Sequence, residues 1–221
     1  MKLALSAVIS ALLIQFSAQA AILEVTPSDQ KLQGVTLGSK AISTTTGKST
    51  NLEFVNAGTR VKKILVIKAD VYTIQLFVDQ KAKFIKTPRD ADFEIDMRSL
   101  KSISNLGVVA LKLDFLRDLS ADKIVDSFQD ALHANHFEVS SDDGLKRVLA
   151  AIKKGGAVQK GESISIVGVN GADKDQLYVE NSKGVSENVE GESQLIEKML
   201  SIWLGTPADG KLEELKQELT R

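Results

Sequence analysis

Two histidines, His133 and His136, stand three apart in a segment of helical pattern, a spacing that puts two side chains on one helix face. Such a pair could begin a zinc site, but tetrahedral zinc needs three or four ligands. The chain holds 2 His and no Cys, so both are read as helix-surface histidines, and neither a metal nor a cofactor is expected. Gly155-Gly156 and Asn170-Gly171 read as turns, because no strand–GxxxxGK[ST]–helix unit surrounds them. No Ser-His-Asp or paired-carboxylate constellation stands out. One cation and one phenol remain. Arg60 carries a permanent charge on a planar fork of donors, which suits a carboxylate or an enolate oxygen. By itself, though, an arginine two residues after Asn56-Ala57-Gly58 reads as solvated surface. Tyr72 reads as a half-buried strand residue with its hydroxyl at the rim. Trp203, inside an apolar helix, reads as core packing.

The elements that must position these residues change period along the chain. Leu32–Leu37 alternates apolar and polar and reads as a strand. Ser43–Asn51 is a polar loop or ribbon, Leu52–Val55 a short strand, and Asn56-Ala57-Gly58 a turn. Ile64–Ile67 and Val71–Val78 are rich in β-branched and aromatic residues and read as strands. Phe93–Met97 and Val108–Leu116 alternate and read the same way. Helical spacing then takes over. Ile124, Phe128, Ala131 and Leu132 share a face behind a Ser120 cap. Leu145, Val148, Leu149 and Ile152 share another behind Ser140 or Ser141, and Gly155 stops that helix. Ser163–Val169 and Gln176–Glu180 return to strand character. Leu195–Leu204 is apolar on nearly all sides, hence a buried helix, and Leu212–Leu219 is a last amphipathic one. Strands and helices do not alternate one for one, so the pattern predicts an α+β fold: a large antiparallel sheet with helices on one face.

Three segments together resemble the chalcone isomerase-like family in its signal-bearing bacterial branch. The first is Phe54-Val-Asn-Ala-Gly-Thr-Arg60 with Lys68-Ala-Asp-Val-Tyr72 and Leu76-Phe-Val78. The second is Leu113–Ile124, leading into a helix. The third is Lys160-Gly-Glu-Ser-Ile164 followed by Met199-Leu-Ser-Ile-Trp-Leu-Gly-Thr-Pro207 and Leu212. They span most of Leu52–Leu219. The resemblance implies an open-faced β-sandwich with a ligand cleft between sheet and helices. It also implies two kinds of activity: closure of a chalcone phenol onto its enone, or binding of fatty acids without chemistry.

Carried over residue by residue, the family's central strand arginine falls on Arg60. Its catalytic threonine falls on Tyr72, its helix tyrosine and asparagine fall near Ser120 and Ser127, a lysine falls on Lys123, and its C-terminal threonine falls near Lys198. Cyclisation needs a cation for the developing enolate and neutral donors around the ketone. The cation is kept and most neutral donors are not, so the resemblance favours a binder over an isomerase. The expected ligand contacts are Arg60, Tyr72, Lys123 and Lys198, and the expected ligand is a fatty acid or similar amphipathic anion. A buried arginine is costly without a counter-charge, which points the same way. An isomerase acting on another substrate and an interaction protein with a filled cleft are the alternatives.

Composition bounds the partners. The chain is 43% hydrophobic and 26% charged, and its 28 basic and 29 acidic residues leave a net charge of −1. That balance gives no overall field for nucleic acid or an anionic membrane. Lys2, the apolar run Leu3–Ile14 and Ala18-Gln19-Ala20 have the order of a cleavable secretory signal. The run is too short to span a bilayer, which takes about 20 residues. Cleavage is expected after Ala20, leaving one domain over 21–221 in the periplasm or outside the cell, without a stable membrane anchor.

Overall fold

The computed structural model describes residues 21–64, 67–85, 97–105, 107–171, 173–192 and 194–220. The signal-like segment 1–20 and residues 93–96 of the expected fifth strand lie outside them. Eight strands follow one another in space as they do in sequence: β1 (Leu23–Leu32), β2 (Val35–Ser43), β3 (Thr50–Ile64), β4 (Ile67–Val78), β5 (Val108–Phe115), β6 (Ser163–Val169), β7 (Gln176–Glu180) and β8 (Ser186–Glu190). Every pairing is antiparallel. The helices are α1 (Lys81–Ile85), α2 (Met97–Ser104), α3 (Ala121–Ala134), α4 (Asp143–Lys154), α5 (Leu195–Leu204) and α6 (Gly210–Thr220). This is the α+β architecture expected from the sequence.

Alternation divides the sheet into two faces. Tyr72, Ile74, Leu76 and Val78 of β4, with Val109, Leu111, Leu113 and Phe115 of β5, bury against α3–α6. The residues between them, Phe77 and Ala110, join Val167 in a second apolar cluster on the other face. Ile22, Leu23, Ala41, Leu52 and Val108 complete that cluster, because the sheet curls until the residue before β1 reaches β7. There the Ile22 amide donates to Glu180 Oε2 at 2.9 Å.

Several local expectations are corrected. Leu32–Leu37 is not one strand: Gln33 and Gly34 have φ of 52° and 82°, a two-residue hairpin turn that suits the twist of β1 and β2. Asn56-Ala57-Gly58 is not a turn but lies inside β3, past a bulge between Phe54 and Asn56. Gly58 serves close packing there. A Cβ on it would stand 2.5 Å from Leu215 Cδ1 and Glu218 Oε2, so its absence lets α6 lie on the strand. Asp142, not Ser140 or Ser141, caps α4, its Oδ1 accepting from the Leu145 amide at 2.9 Å. Met97, expected to end a strand, opens α2. β8 escaped sequence reading because its residues, Ser-Glu-Asn-Val-Glu, bury only Val189.

Candidate functional site

The register of β3 and β4 sets Arg60 directly opposite Tyr72, so both side chains leave the sheet on its helix-facing side. Arg60 is 4% exposed. Nη1 donates to Asp209 Oδ1 at 2.8 Å and Nη2 to Asp209 Oδ2 at 2.6 Å, a fork-to-fork pair. Nη1 also donates to the Val61 carbonyl at 2.9 Å. The sequence argument required an anion beside a buried Arg60, and the chain supplies one itself. Asp209 has a second task as the residue before α6, where Oδ1 accepts from the Lys211 and Leu212 amides at 3.0 and 2.9 Å. Hydrogen bonds from Arg60 hold the Asp209 carboxyl well below the usual range, against the desolvation that would raise it. Desolvation would lower the Arg60 pKa, but the bonds and charge of Asp209 outweigh it and raise it.

Tyr72 is tied to the helical layer. Trp203 Nε1 of α5 donates to Tyr72 Oη at 2.9 Å, and burial pushes the phenol up to about 12. Tyr72 is therefore neutral at ordinary pH and keeps its own proton to donate. Its ring meets Phe115 edge-on at 5.6 Å, and Trp203 meets Phe128 edge-on at 5.2 Å.

Two clefts open beside this pair, about 380 and 270 Å³ in volume. They share Arg60, Lys62, Tyr72, Ser127, Phe128 and Asp130. The larger runs between β4 and the start of α3, with Val71, Phe115, Leu119 and Ile124 as apolar wall and both signs of charge in its lining, from Arg117 and Lys123 and from Asp118 and Asp126. The smaller runs under the C-terminal half of α3 to Asp209 and Leu212. Small-molecule pockets occupy roughly 300–1,000 Å³, so the larger cleft is of useful size alone.

Of the residues singled out in the sequence, Arg60, Tyr72, Lys123 and Ser127 come together here. Ser120 stands just outside, its hydroxyl accepting from the Lys123 amide at 3.4 Å as the α3 cap. Lys198 does not join them. It lies on α5, paired with Asp142 at 2.6 Å, and lines a separate groove of about 950 Å³. The histidines do not share a helix face either. His136 has φ of +64° and lies past the end of α3, while His133 meets Glu138 at 2.7 Å. Asp209 and Lys62 were missed. For Asp209 the signal was present: Ala208-Asp209-Gly210 before an amphipathic run is a helix start.

No family model and no curated protein sequence matches the chain. Among solved structures, it is similar to the fatty-acid binding protein AtFAP1 of Arabidopsis thaliana, at a TM-score of 0.60 over 89% of this chain and 96% of that one. The chain has the chalcone isomerase-like fold. Sequence identity is 14%, so the likeness concerns the backbone. The three motifs quoted from the sequence fall on β3 and β4, from β5 into α3, and on the start of β6 with α5 and α6. In this chalcone isomerase-like sheet the Arg60–Tyr72 pair faces the helices, with the clefts between the two layers.

Proposed function

We propose that this chain binds a fatty acid or a similar amphipathic monocarboxylate, without chemistry, in the cleft between β4 and α3. One observation carries the reading: an apolar-walled cleft ends at a buried guanidinium with donors to spare. Arg60 has five N–H donors, and three are committed to Asp209 and Val61. The other two, the Tyr72 phenol and the Lys62 ammonium can receive a carboxylate, with Lys123 at the outer edge. The acyl chain lies against Val71, Phe115, Leu119 and Ile124. The similar fold of a fatty-acid binding protein supports the same class of ligand. Export completes the reading: the carrier works in the periplasm or outside the cell after cleavage behind Ala20, a step that N-terminal sequencing of secreted material tests.

Displacement of a fluorescent fatty acid from the purified protein tests the ligand. Ser127 lines both clefts and is only half-buried, so Ser127→Trp fills the space while leaving the core intact. The expected outcome is saturable binding that Ser127→Trp abolishes without a change in melting temperature. Binding untouched by Ser127→Trp overturns the assignment of this cleft. Absence of binding for any acyl-chain length overturns the ligand class.

A further inference from the structure

The two clefts beside the Arg60–Tyr72 pair differ in kind as well as in size. The larger, about 380 Å³, has the apolar wall of Val71, Phe115, Leu119 and Ile124. The smaller, about 270 Å³, falls below the roughly 300–1,000 Å³ of small-molecule pockets. It is therefore an annex of the larger cleft rather than a site of its own. Arg60, Tyr72, Ser127 and Asp130 line both, so a group held at the guanidinium stands at their junction. An unbranched fatty acid with its carboxylate there occupies the larger cleft and sends nothing into the annex.

The annex has its own chemistry. Two polar side chains line it without lining the larger cleft, His133 and Asp209, and both offer acceptors. His133 Nδ1 meets Glu138 Oε1 at 2.7 Å. An ionised carboxylate only accepts, so Nδ1 carries the proton and Nε2 of the neutral ring is an acceptor. Asp130, at the junction, makes no hydrogen bond or ion pair among the described residues. The rest of the annex is apolar, with Ala131, Ala134, Ile202, Ala208 and Leu212. A guest arm that enters it meets acceptors and should itself donate. Charge narrows the arm further. Arg60 and Lys62 set two positive charges against the two negative ones of Asp130 and Asp209. That balance gives an ammonium group no net attraction and leaves a hydroxyl as the donor that fits.

We infer that the preferred ligand is a hydroxylated fatty acid, with its carboxylate at Arg60, its alkyl chain along the larger cleft, and a hydroxyl close to the carboxylate turned into the annex toward Asp130 and His133. The hydroxyl preference rests on the binding function proposed above and narrows its ligand class.

Displacement of a fluorescent fatty acid by dodecanoate, 3-hydroxydodecanoate and 12-hydroxydodecanoate tests this. A hydrogen bond to the exposed carboxylate of Asp130 should make 3-hydroxydodecanoate bind roughly tenfold tighter than dodecanoate. The 12-hydroxy isomer sets its hydroxyl against the apolar wall and should bind more weakly than either. Ala134 is half-buried and, of the two clefts, lines only the smaller. Ala134→Phe therefore closes the annex and should bring the ratio of the first two affinities close to one. Asp130→Asn keeps the shape, removes the charged acceptor and should lower that ratio about threefold or more; it decides the matter if the bulkier variant fails to fold. Equal affinity of the parent for dodecanoate and 3-hydroxydodecanoate overturns the hydroxyl preference and leaves fatty-acid binding in place. A preference that survives both substitutions also overturns it, since the hydroxyl is then read elsewhere. Failure of all three acids to displace the probe overturns the binding function itself, and the preference with it.

Discussion

Arg60 and Asp209 lie 149 positions apart in sequence and meet through two parallel hydrogen bonds of 2.8 and 2.6 Å. The partners are unequally placed, with 5% of the Arg60 side chain exposed and 34% of that of Asp209. The pair joins the sheet to the start of α6 and fixes one wall of the cleft.

That inequality predicts unequal costs. Asp209→Asn leaves a buried guanidinium without its counter-charge, which costs about 3 kcal/mol. Arg60→Met leaves a carboxylate that still reaches water, Lys62 and the α6 amides, and solvent screening holds the cost to about 1 kcal/mol. Urea denaturation of the two single variants measures the difference. Equal losses would mean that Arg60 finds another partner in the folded state.

Acid should act on the same pair. Arg60 holds the Asp209 carboxyl below its unfolded value, so the folded state binds fewer protons there than the unfolded one. The stabilisation is complete above the unfolded pKa, near 3.9 for an aspartate, and is lost as pH falls from there through the folded value. Denaturation midpoints taken from pH 6 to pH 2 should fall more steeply for the parent than for Asp209→Asn. Parallel acid limbs would remove Asp209 from the linkage.

Tyr72 and Trp203 give a prediction with a built-in probe, since the chain has a single tryptophan. Tyr72→Phe removes the acceptor of the buried indole N–H. An unsatisfied buried donor costs about 1–3 kcal/mol. The expected result is a loss of that size together with a shift in Trp203 emission. Unchanged emission would show that a water or another group takes over the bond.

Much of this was legible in the sequence where one physical signal dominated. Helices α3 and α4 and strand β5 followed from the periodicity of their apolar residues, and α5 from a run that is apolar on nearly all sides. The spacing of Arg60 and Tyr72 along resembling segments placed both at one site. Illegible features depended on what another element does. Gly58 looked like a turn because glycine has that use more often than admitting a helix. Lys198 was carried over from a position that falls only near it, and a few residues along a helix turn a side chain to another groove. Asp209 was passed over altogether, since no local pattern reveals a partner so far away in sequence.

Lys198 supplies a control for the cleft. It pairs with Asp142 at 2.6 Å; desolvation would raise the Asp142 carboxyl, but the bonds from Lys198 and the α4 amides lower it instead. Lys198→Met should therefore cost about 1 kcal/mol of stability and leave fatty-acid affinity unchanged. A clear loss of affinity in the displacement assay would move the ligand to the groove between α4 and α5.

Asn135 determines how firmly Asp209 is presented. Its Nδ2 donates to the carbonyls of Ala131, Ser201 and Thr206 at 2.8, 3.2 and 3.0 Å, and its Oδ1 accepts from the Thr206 amide at 2.6 Å. One buried amide thus clamps the end of α3 to the end of α5 and to the segment that carries Asp209 three residues later. Gly205 permits this approach, since a Cβ there would stand 2.2 Å from Asn135 Oδ1 and 2.8 Å from the Ser201 carbonyl oxygen. Asn135→Ala should cost about 2–3 kcal/mol by stranding buried backbone groups. If the clamp works through Asp209, its loss should also blunt the ion pair. A double-mutant cycle with Asp209→Asn should then show coupling of about 0.5 kcal/mol or more. Additive losses would mean that the Arg60–Asp209 bonds hold the segment in place without help from Asn135.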